Sequence, residues 1–398
     1  MLVKLHARGL VPLAESSPTP FLGRVWSASE PAPEGHLRSR GILLADDEDP
    51  LVEGFRAYFV RSRRPVAGLR DVYLLGADHD YVAPGDVLRV DPARRTLSAI
   101  LRASSPSNSF LVTERCDNYC VMCSQPPKER DDAWLVDELL EAIPLMPRGV
   151  REVGITGGEP ALLGPRLVDL IRTLGDHLPG TAVHVLTNGR RFAEPGFARS
   201  IAALAHPDLM FGVPLYADLP EDHDYVVQAR GAFEETVRGI VALARAGLRV
   251  ELRFVIHRET LGRIEDFARF VARNLTFVHH VALMGLEPVG FARANLDRLW
   301  ADPVDYGEAL RAATLTLHRA GLAVSLYNHP LCVLDTSLHP FSRRSISDWK
   351  NLYFEECDRC LQRDACGGFF ESSRVRRSRG VAPFISPAMP PRGRSDHG

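Results

Sequence analysis

Phe110-Leu111-Val112-Thr113-Glu114-Arg115-Cys116-Asp117-Asn118-Tyr119-Cys120-Val121-Met122-Cys123 is the stretch on which the fold turns. Its opening run, Phe110 to Thr113, is short and apolar and reads as a strand. Behind it three of the chain's seven cysteines stand at spacings of four and three. Three thiolates on one compact loop can hold three irons of a cubane iron–sulfur cluster, which normally takes four cysteines. One iron is then left open, and an open iron is a place for chemistry. The competing reading is a zinc site or buried thiols. Zinc sites usually pair two cysteines two residues apart with a second pair or with histidines further on, and C-x3-C-x2-C does not match that.

Downstream of the loop the chain alternates between strand and helix. Strand runs stand at Glu152 to Thr156, Ala182 to Thr187, Leu209 to Val213, Arg249 to Ile256 and His280 to Met284. Helical runs stand at Arg166 to His177, Phe197 to Ala205, Phe233 to Ala246, Ile264 to Val271 and Tyr306 to Ala320. In the third of these, Val237, Ile240, Val241 and Leu243-Ala244 recur at helical spacing and Gly247 supplies a stop. Parallel strands need crossovers, and these spacings supply them. Six such units predict an α/β fold with an open, partial (βα)6 barrel; a doubly wound open sheet is the alternative. The working face of a βα barrel lies at the C-terminal ends of its strands. The cysteine loop follows the first strand, Thr156-Gly157-Gly158-Glu159-Pro160 closes the second and Thr187-Asn188-Gly189 the third. Pro214-Leu215-Tyr216 follows the fourth, Arg253 and His257 end the fifth, and Met284-Gly285 ends the sixth. These ends are expected to converge on one mouth.

Residues 1 to 105 read differently. Leu2 to Leu5, Gly41 to Leu44, Ala57 to Val60 and Val72 to Leu75 are short strand candidates. Val82 to Asp91 and Thr96 to Arg102 alternate around Pro92-Ala93-Arg94-Arg95 as arms of a β-hairpin. A β-rich N-terminal domain without a catalytic constellation is expected, with a loop at Ser27 to Glu34 and a linker at Ser104 to Ser109. From Ser372 six arginines stand among Pro, Gly and Ser, which reads as a disordered basic tail. The expected division is therefore 1–105, a core at 106–322, a cysteine-rich extension at 323–371 and the tail at 372–398.

Length and composition bound the function. The 398 residues exceed one small domain. Hydrophobic and charged contents of 45% and 25% are those of a soluble globular protein. A net charge of -2 gives no electrostatic reason to expect nucleic acid. Met1 to Ser17 mixes Lys4, His6, Arg8 and Glu15 among its apolar positions, unlike a signal peptide, and no apolar run is long enough to span a bilayer. The clustered cysteines read as reduced ligands in a cytoplasmic protein. No phosphate loop of the G-x4-G-K type and no nucleophile elbow occurs. His223-Asp224 finds no histidines spaced to complete a metal dyad and reads as part of a loop. His279-His280, His206, His318, His329 and His339 read as surface or satisfied core residues.

Thr156-Gly157-Gly158-Glu159-Pro160 is the second motif. Two glycines let a backbone approach a ligand, and a carboxylate beside them can accept from an ammonium group. Alone it is an ordinary strand-to-helix turn. About one strand and one helix after the C-x3-C-x2-C triplet, it resembles the signature of the radical S-adenosylmethionine (SAM) superfamily. The resemblance implies a 4Fe-4S cluster on Cys116, Cys120 and Cys123, with its open iron chelating the amino and carboxylate groups of SAM. Gly157, Gly158 and Glu159 would hold that amino group. Backbone groups near Tyr119 and Met122 would contact adenine; the family often has an aromatic residue where this chain has Met122. Asn188 and Arg253 fall where the family often contacts ribose or carboxylate, a structural turn or an ion pair being the alternatives. The implied chemistry is reductive cleavage of SAM to a 5′-deoxyadenosyl radical that takes a hydrogen atom from substrate, while the protein positions and shields the reactants.

Cys332, Cys357, Cys360 and Cys366 remain. Cys357-x2-Cys360-x5-Cys366-Gly367-Gly368 resembles the core of the SPASM and twitch extensions, which carry auxiliary 4Fe-4S clusters in radical SAM maturases. A full SPASM motif would have cysteine where Phe370 stands. An auxiliary cluster with Cys332 as fourth ligand is implied, and a four-cysteine structural zinc is the alternative on ligand type. From Asn108 to Phe370 the chain resembles more narrowly the radical SAM maturase of the His-Xaa-Ser repeat peptide system (HxsC type). Ser109 to Cys120, Asn328-His329-Pro330-Leu331-Cys332-Val333-Leu334-Asp335 and Ser345 to Asn351 carry this. It implies modification of a ribosomally made peptide with His-Xaa-Ser repeats, a second radical SAM maturase as partner, and an electron donor such as flavodoxin or ferredoxin. Neither nucleic acid nor membrane is expected as a partner. A small-molecule or cofactor precursor as substrate, and a non-catalytic iron–sulfur partner role, are the competing readings. The N-terminal domain is a candidate for binding peptide by strand addition.

Overall fold

The protein carries two sheets in a computed structural model that describes residues 6–66, 68–344 and 352–385. The first sheet consists of β1 (His6–Arg8), β2 (Val11–Pro12), β3 (Phe21–Ser27), β4 (Gly41–Ala45), β5 (Ala57–Val60), β6 (Val72–Leu74), β7 (Val87–Asp91) and β8 (Thr96–Leu101), in the order β1-β8-β7-β3-β4-β5-β6-β2. β7 and β8 form the antiparallel hairpin that their alternation predicts. β4, β5 and β6 fall on the short apolar runs, yet they pair parallel to one another. Successive residues of a strand face opposite ways, and here both faces are covered: Ile42, Phe59 and Tyr73 pack on one, Leu43, Tyr58 and Val60 on the other. Unbroken apolar runs such as Ala57 to Val60 follow from that two-sided burial. Gly23 and Arg24 hide β3 from its pattern, although Val25 at its centre is fully buried. The candidate strand at Leu2 to Leu5 lies outside the described residues.

The second sheet consists of β9 (Asn108–Thr113), β10 (Glu152–Gly157), β11 (Ala182–Leu186), β12 (Leu209–Pro214), β13 (Arg249–Ile256), β14 (His280–Gly285) and β15 (Ala323–Tyr327), in the order β15-β14-β13-β12-β11-β10-β9. β9 to β12 pair parallel in sequence, as do β14 and β15. Unreversed order with helices in between is that of a partial βα barrel; a doubly wound sheet reverses at a switch point. The α/β expectation is met with one strand more than the six expected. β15 follows the helix Pro303–Arg319 and opens what the sequence reads as the cysteine-rich extension. The helix Ile264–Asn274 shows why these crossovers form: Ile264, Phe267, Ala268 and Val271 make a buried stripe at helical spacing. Phe267 lies 4.5 Å, between ring centroids, from Phe254 of β13.

Contacts group the chain into two units. The first takes residues 1–119, 125–214 and 229–251, and so holds the N-terminal sheet and β9 to β12. The second takes residues 120–124, 215–228 and 252–398, with β14, β15 and the C-terminal cysteines. No helix among the described residues is long and apolar enough to cross a membrane.

The expectation of a disordered tail from Ser372 is corrected for residues 372–385. Arg376 pairs with Asp297 at 3.0 Å, Arg379 with Asp305 at 2.9 Å, and Arg377 with Glu356 at 2.9 Å while lying over the Phe354 ring. Composition misleads here because the arginines meet fixed carboxylates of the second unit, so their charge is locally matched. Residues 386–398, with Arg392 and Arg394, and the stretch Ser345 to Asn351 lie outside the described residues.

Candidate functional site

In the first unit the ends of β9, β10 and β11 meet. Asp132, fully buried, accepts from the Thr113 hydroxyl at 3.0 Å and the Glu114 N–H at 2.5 Å, and faces the Arg115 guanidinium at 3.5 Å. These bonds fix the exit of β9 just ahead of Cys116. Asp132 belongs to no motif, and nothing in its sequence surroundings marks it.

Gly157 and Gly158 owe their identity to the same exit. A Cβ on Gly157 would sit 2.2 Å from the Thr113 carbonyl oxygen, and one on Gly158 2.1 Å from that of Arg115. The N–H groups of Gly158 and Glu159 donate to those two carbonyls at 2.8 Å each. The space the glycines leave is therefore filled by the chain's own backbone. Glu159 is fully buried, and its carboxylate accepts from Ala161 N at 2.7 Å, the Thr187 hydroxyl at 2.5 Å and Asn188 N at 2.5 Å. Burial pushes its carboxyl up to about 7 despite those three donors. Through these bonds the Glu159 side chain ties β10 to β11.

Asn188 is also engaged. Its Nδ2 donates to Asp117 at 2.6 Å and its Oδ1 accepts from Arg190 N at 3.0 Å. Arg190, absent from the sequence reading, reaches the cysteine loop itself. Its Nη1 donates to the Asp117 carbonyl at 2.8 Å and to Asn118 Oδ1 at 2.6 Å, while Nε donates to Glu235 at 2.6 Å. Burial opposes its charge, but the Glu235 bond and the fields of Asp117, Glu235 and Cys116 raise its pKa. Within the loop the Asn118 N–H points at Cys116 Sγ, 3.4 Å away. The one sequence signal for Arg190 is its place in the turn that closes β11. Tyr119 is half-exposed, with its hydroxyl 3.5 Å from Glu129.

The second unit holds the rest of the loop. Cys123 N donates to the Cys120 carbonyl at 3.0 Å, closing a tight turn. Val121 N donates to Val226 O at 2.9 Å, Phe291 N to Cys123 O at 2.8 Å and Asn295 Nδ2 to Val121 O at 2.8 Å. Met122 is buried. Arg253 lies 3.4 Å from the Met284 sulfur. His223 stands in the helix Pro220–Val227, not in a loop, and stacks on Tyr216; Pro220 starts that helix at the position where a missing N–H costs nothing. His257, the residue after β13, is fully buried, and burial with the nearby Arg298 charge lowers its pKa to about 3. His329 is a core residue: Nε2 stands 2.9 Å from the Tyr306 hydroxyl, and burial lowers its pKa to about 4.

Residues 110–271 match the model of the Radical SAM superfamily. This segment is a radical SAM domain. The chain is 27% identical over 230 residues to the GTP 3',8-cyclase of Mesorhizobium japonicum, covering 52% of this chain and 65% of that protein. It is 30% identical over 231 residues to the PqqA peptide cyclase of Gluconobacter oxydans, covering 55% and 61% respectively. The chain thus spans less than two thirds of these curated relatives. Among solved structures, SuiB of Streptococcus suis bound to S-adenosylmethionine aligns at 16% identity with a TM-score of 0.43, covering 56% of this chain and 50% of that one. A radical SAM domain implies a 4Fe-4S cluster and SAM. Three thiols on the loop that leaves β9, with a backbone N–H aimed at the first sulfur, are a donor set that fits.

Beyond the radical SAM domain the remaining four cysteines come together in the second unit. Burial raises the pKa of Cys332, where Cys366 and Cys357 add to the effect, and of Cys357, where Cys366 and Cys360 add. Leu331 N and Gly368 N each point at Cys366 Sγ at 3.4 Å, and Phe384 N at Cys360 Sγ at 3.4 Å. A neutral thiol is a weak acceptor, so amides aimed at sulfur suit thiolates, which are what bind metals. Among the described residues no three His, Cys, Asp or Glu groups are drawn together as around a single ion; a cubane takes one thiolate per iron, so its four ligands do not converge on one ion.

Proposed function

We propose that the protein is a radical SAM enzyme that modifies a ribosomally made peptide bearing His-Xaa-Ser repeats. The observation that carries the enzyme reading is the C-x3-C-x2-C loop, placed at the exit of β9 and held at Asp117 and Asn118 by Asn188 and Arg190. When bound to Cys116, Cys120 and Cys123, a 4Fe-4S cluster with one open iron supplies the reductive cleavage of SAM and hence a hydrogen-abstracting fragment. The chain's own part is to set the loop and offer main chain at Gly157, Gly158 and Glu159. Tyr119, Met122 and Arg253 are the further residues we assign to SAM.

The peptide reading is supported by the stretches Ser109 to Cys120 and Asn328 to Asp335 and by the four-thiol site, to which we assign an auxiliary 4Fe-4S cluster. The likeness to a protein named PqqA peptide cyclase points the same way. A second reading has its own observation: likeness to proteins named GTP 3',8-cyclase favours a nucleotide substrate. A second radical SAM maturase and a flavodoxin- or ferredoxin-type donor complete the proposal.

The test is anaerobic reconstitution with iron, sulfide, SAM and dithionite, followed by addition of a His-Xaa-Ser peptide or of GTP. Formation of 5′-deoxyadenosine that Cys120→Ala abolishes, with a mass change in the peptide, is the expected result. Consumption of GTP with an unaltered peptide selects the second reading. An intact cluster that never yields 5′-deoxyadenosine refutes the enzyme.

A further inference from the structure

Residues 378–384 run from the helix Pro303–Arg319 to the four-cysteine site, and no motif assigns them a role. At one end Asp302, the N-cap of that helix, accepts from Val304 N at 3.2 Å, from Arg379 N at 3.0 Å and from the Ser378 hydroxyl. The Arg379 guanidinium then grips Asp305 with both terminal nitrogens. At Gly380 a Cβ would fall 2.4 Å from Val304, so the segment lies flat against the start of the helix. At the other end Phe384 accepts from Leu361 N at 2.8 Å and packs edge-on to His339. Between these anchors the backbone turns toward sulfur. Phe384 N is 3.4 Å from Cys360 Sγ, and the Ala382 main chain favours the Cys332 thiolate.

We propose that residues 378–384 are a strap that completes the four-cysteine site, its Ala382 and Phe384 amides donating to the Cys332 and Cys360 sulfurs and so setting both the potential of the bound cluster and its hold on iron. The proposal rests on reading those four thiols as metal ligands. With Leu331 N and Gly368 N on Cys366, amide donors then reach three of the four sulfurs. Hydrogen bonds to cluster sulfurs and solvent exposure are among the factors that set an iron–sulfur potential, and groups outside the ligand set tune affinity as well. A donor stabilises the more electron-rich, reduced cluster, and therefore raises its potential. The strap supplies its donors from the backbone, which is why no side-chain pattern announces them.

The experiment uses the full chain carrying Cys120→Ala, so that the auxiliary site is read alone after reconstitution with iron and sulfide. Ala382→Pro deletes one donor; Arg379→Ala cuts the anchor while keeping every amide, and Arg379→Lys restores its charge. Electron paramagnetic resonance at graded potentials reads reduction, and a chelator reads iron release. We expect Ala382→Pro to shift the reduction equilibrium roughly fivefold toward the oxidised cluster, the worth of one such bond. Arg379→Ala is expected to speed iron release about tenfold, with Arg379→Lys recovering part of it. Unchanged potential and release in variants that melt like the parent overturn the strap alone. If Ala382→Pro fails to fold, the Arg379 pair decides by release rate. A parent that holds no metal overturns the ligand reading and the strap with it. One that holds zinc overturns the cluster and leaves release rate to judge the strap.

Discussion

Replacing Arg190 by methionine tests whether the grip on Asp117 and Asn118 prepares the cysteine loop for its cluster. Arg190 has only 15% of its side chain exposed and donates to two acceptors between Cys116 and Cys120. Each hydrogen bond involving a charged group is worth about 1.5–3 kcal/mol. The pair with Glu235, whose side chain is 46% exposed, adds little after solvent screening. Water reaching the vacated acceptors returns part of the loss, which leaves about 3 kcal/mol on the arrangement of the loop. At about 1.4 kcal/mol per factor of ten, that is roughly a hundredfold in the equilibrium for cluster loading, provided the loop must be ordered to bind. The assay is iron and sulfide retention against a graded chelator under anaerobic conditions. Glu235→Gln removes only the outer charge and should stay within about tenfold of the parent. If Arg190→Met loads within twofold of the parent while its thermal unfolding falls, the bonds stabilise the fold but do not preorganise the ligands, and the reasoning is refuted.

Three further outcomes follow from buried groups. Glu159 titrates near 7 when folded, above its unfolded value, so its contribution is full at low pH and is lost as pH rises through 7; relative to Glu159→Gln the parent should lose about 3 kcal/mol across that window, and a pH-independent difference by chemical denaturation refutes this. His329 titrates near 4, below its unfolded value, so its contribution stands above pH 6.5 and is lost as pH falls through 4; against His329→Phe the parent should lose about 3 kcal/mol in that interval, and an imidazole that protonates near 6.5 by NMR contradicts it. Asp132→Asn should cost about 3 kcal/mol, because it removes the charge facing Arg115 and, with the amide oxygen kept on the Glu114 N–H and the Thr113 hydroxyl, turns an NH2 donor toward that guanidinium; an unchanged denaturation midpoint would show that β9 holds its exit without it.

The strands of the radical SAM domain were legible because burial writes itself into sequence. β10, β11 and β13 are short β-branched or aromatic runs closed by Gly, Asn or His, and each stands within a residue of its reading. β3 and β15 were not. Gly23 and Arg24 interrupt the first, and the second follows a long helix at the point where six units already account for a barrel. The helix at Pro220 to Val227 was hidden by its acidic opening, Glu221 and Asp222, which favours a helix start yet reads as loop composition. In the tail, charge counted without its partners gave disorder, whereas Asp297, Asp302 and Asp305, some seventy residues earlier, hold the arginines in place.

The cysteines and the Gly157-Gly158-Glu159 turn show where type and spacing stop being informative. A ligand reading assigns the glycines to open space and the carboxylate to an incoming amine. In the folded chain Thr113 and Arg115 carbonyls occupy that space, and Thr187, Asn188 and Ala161 donate to that carboxylate. Both readings require the same residues at the same positions, so sequence alone does not separate them. They differ in what a substitution does. An alanine at Gly158 would push the Arg115 carbonyl, one residue from Cys116, and so disturb the first ligand without touching any bound molecule. Arg190 and Asp132 sit outside every motif because their partners lie on the loop and at the exit of β9. A site of this kind is built from contacts across the ends of neighbouring strands, and those contacts become visible only when the strands are side by side.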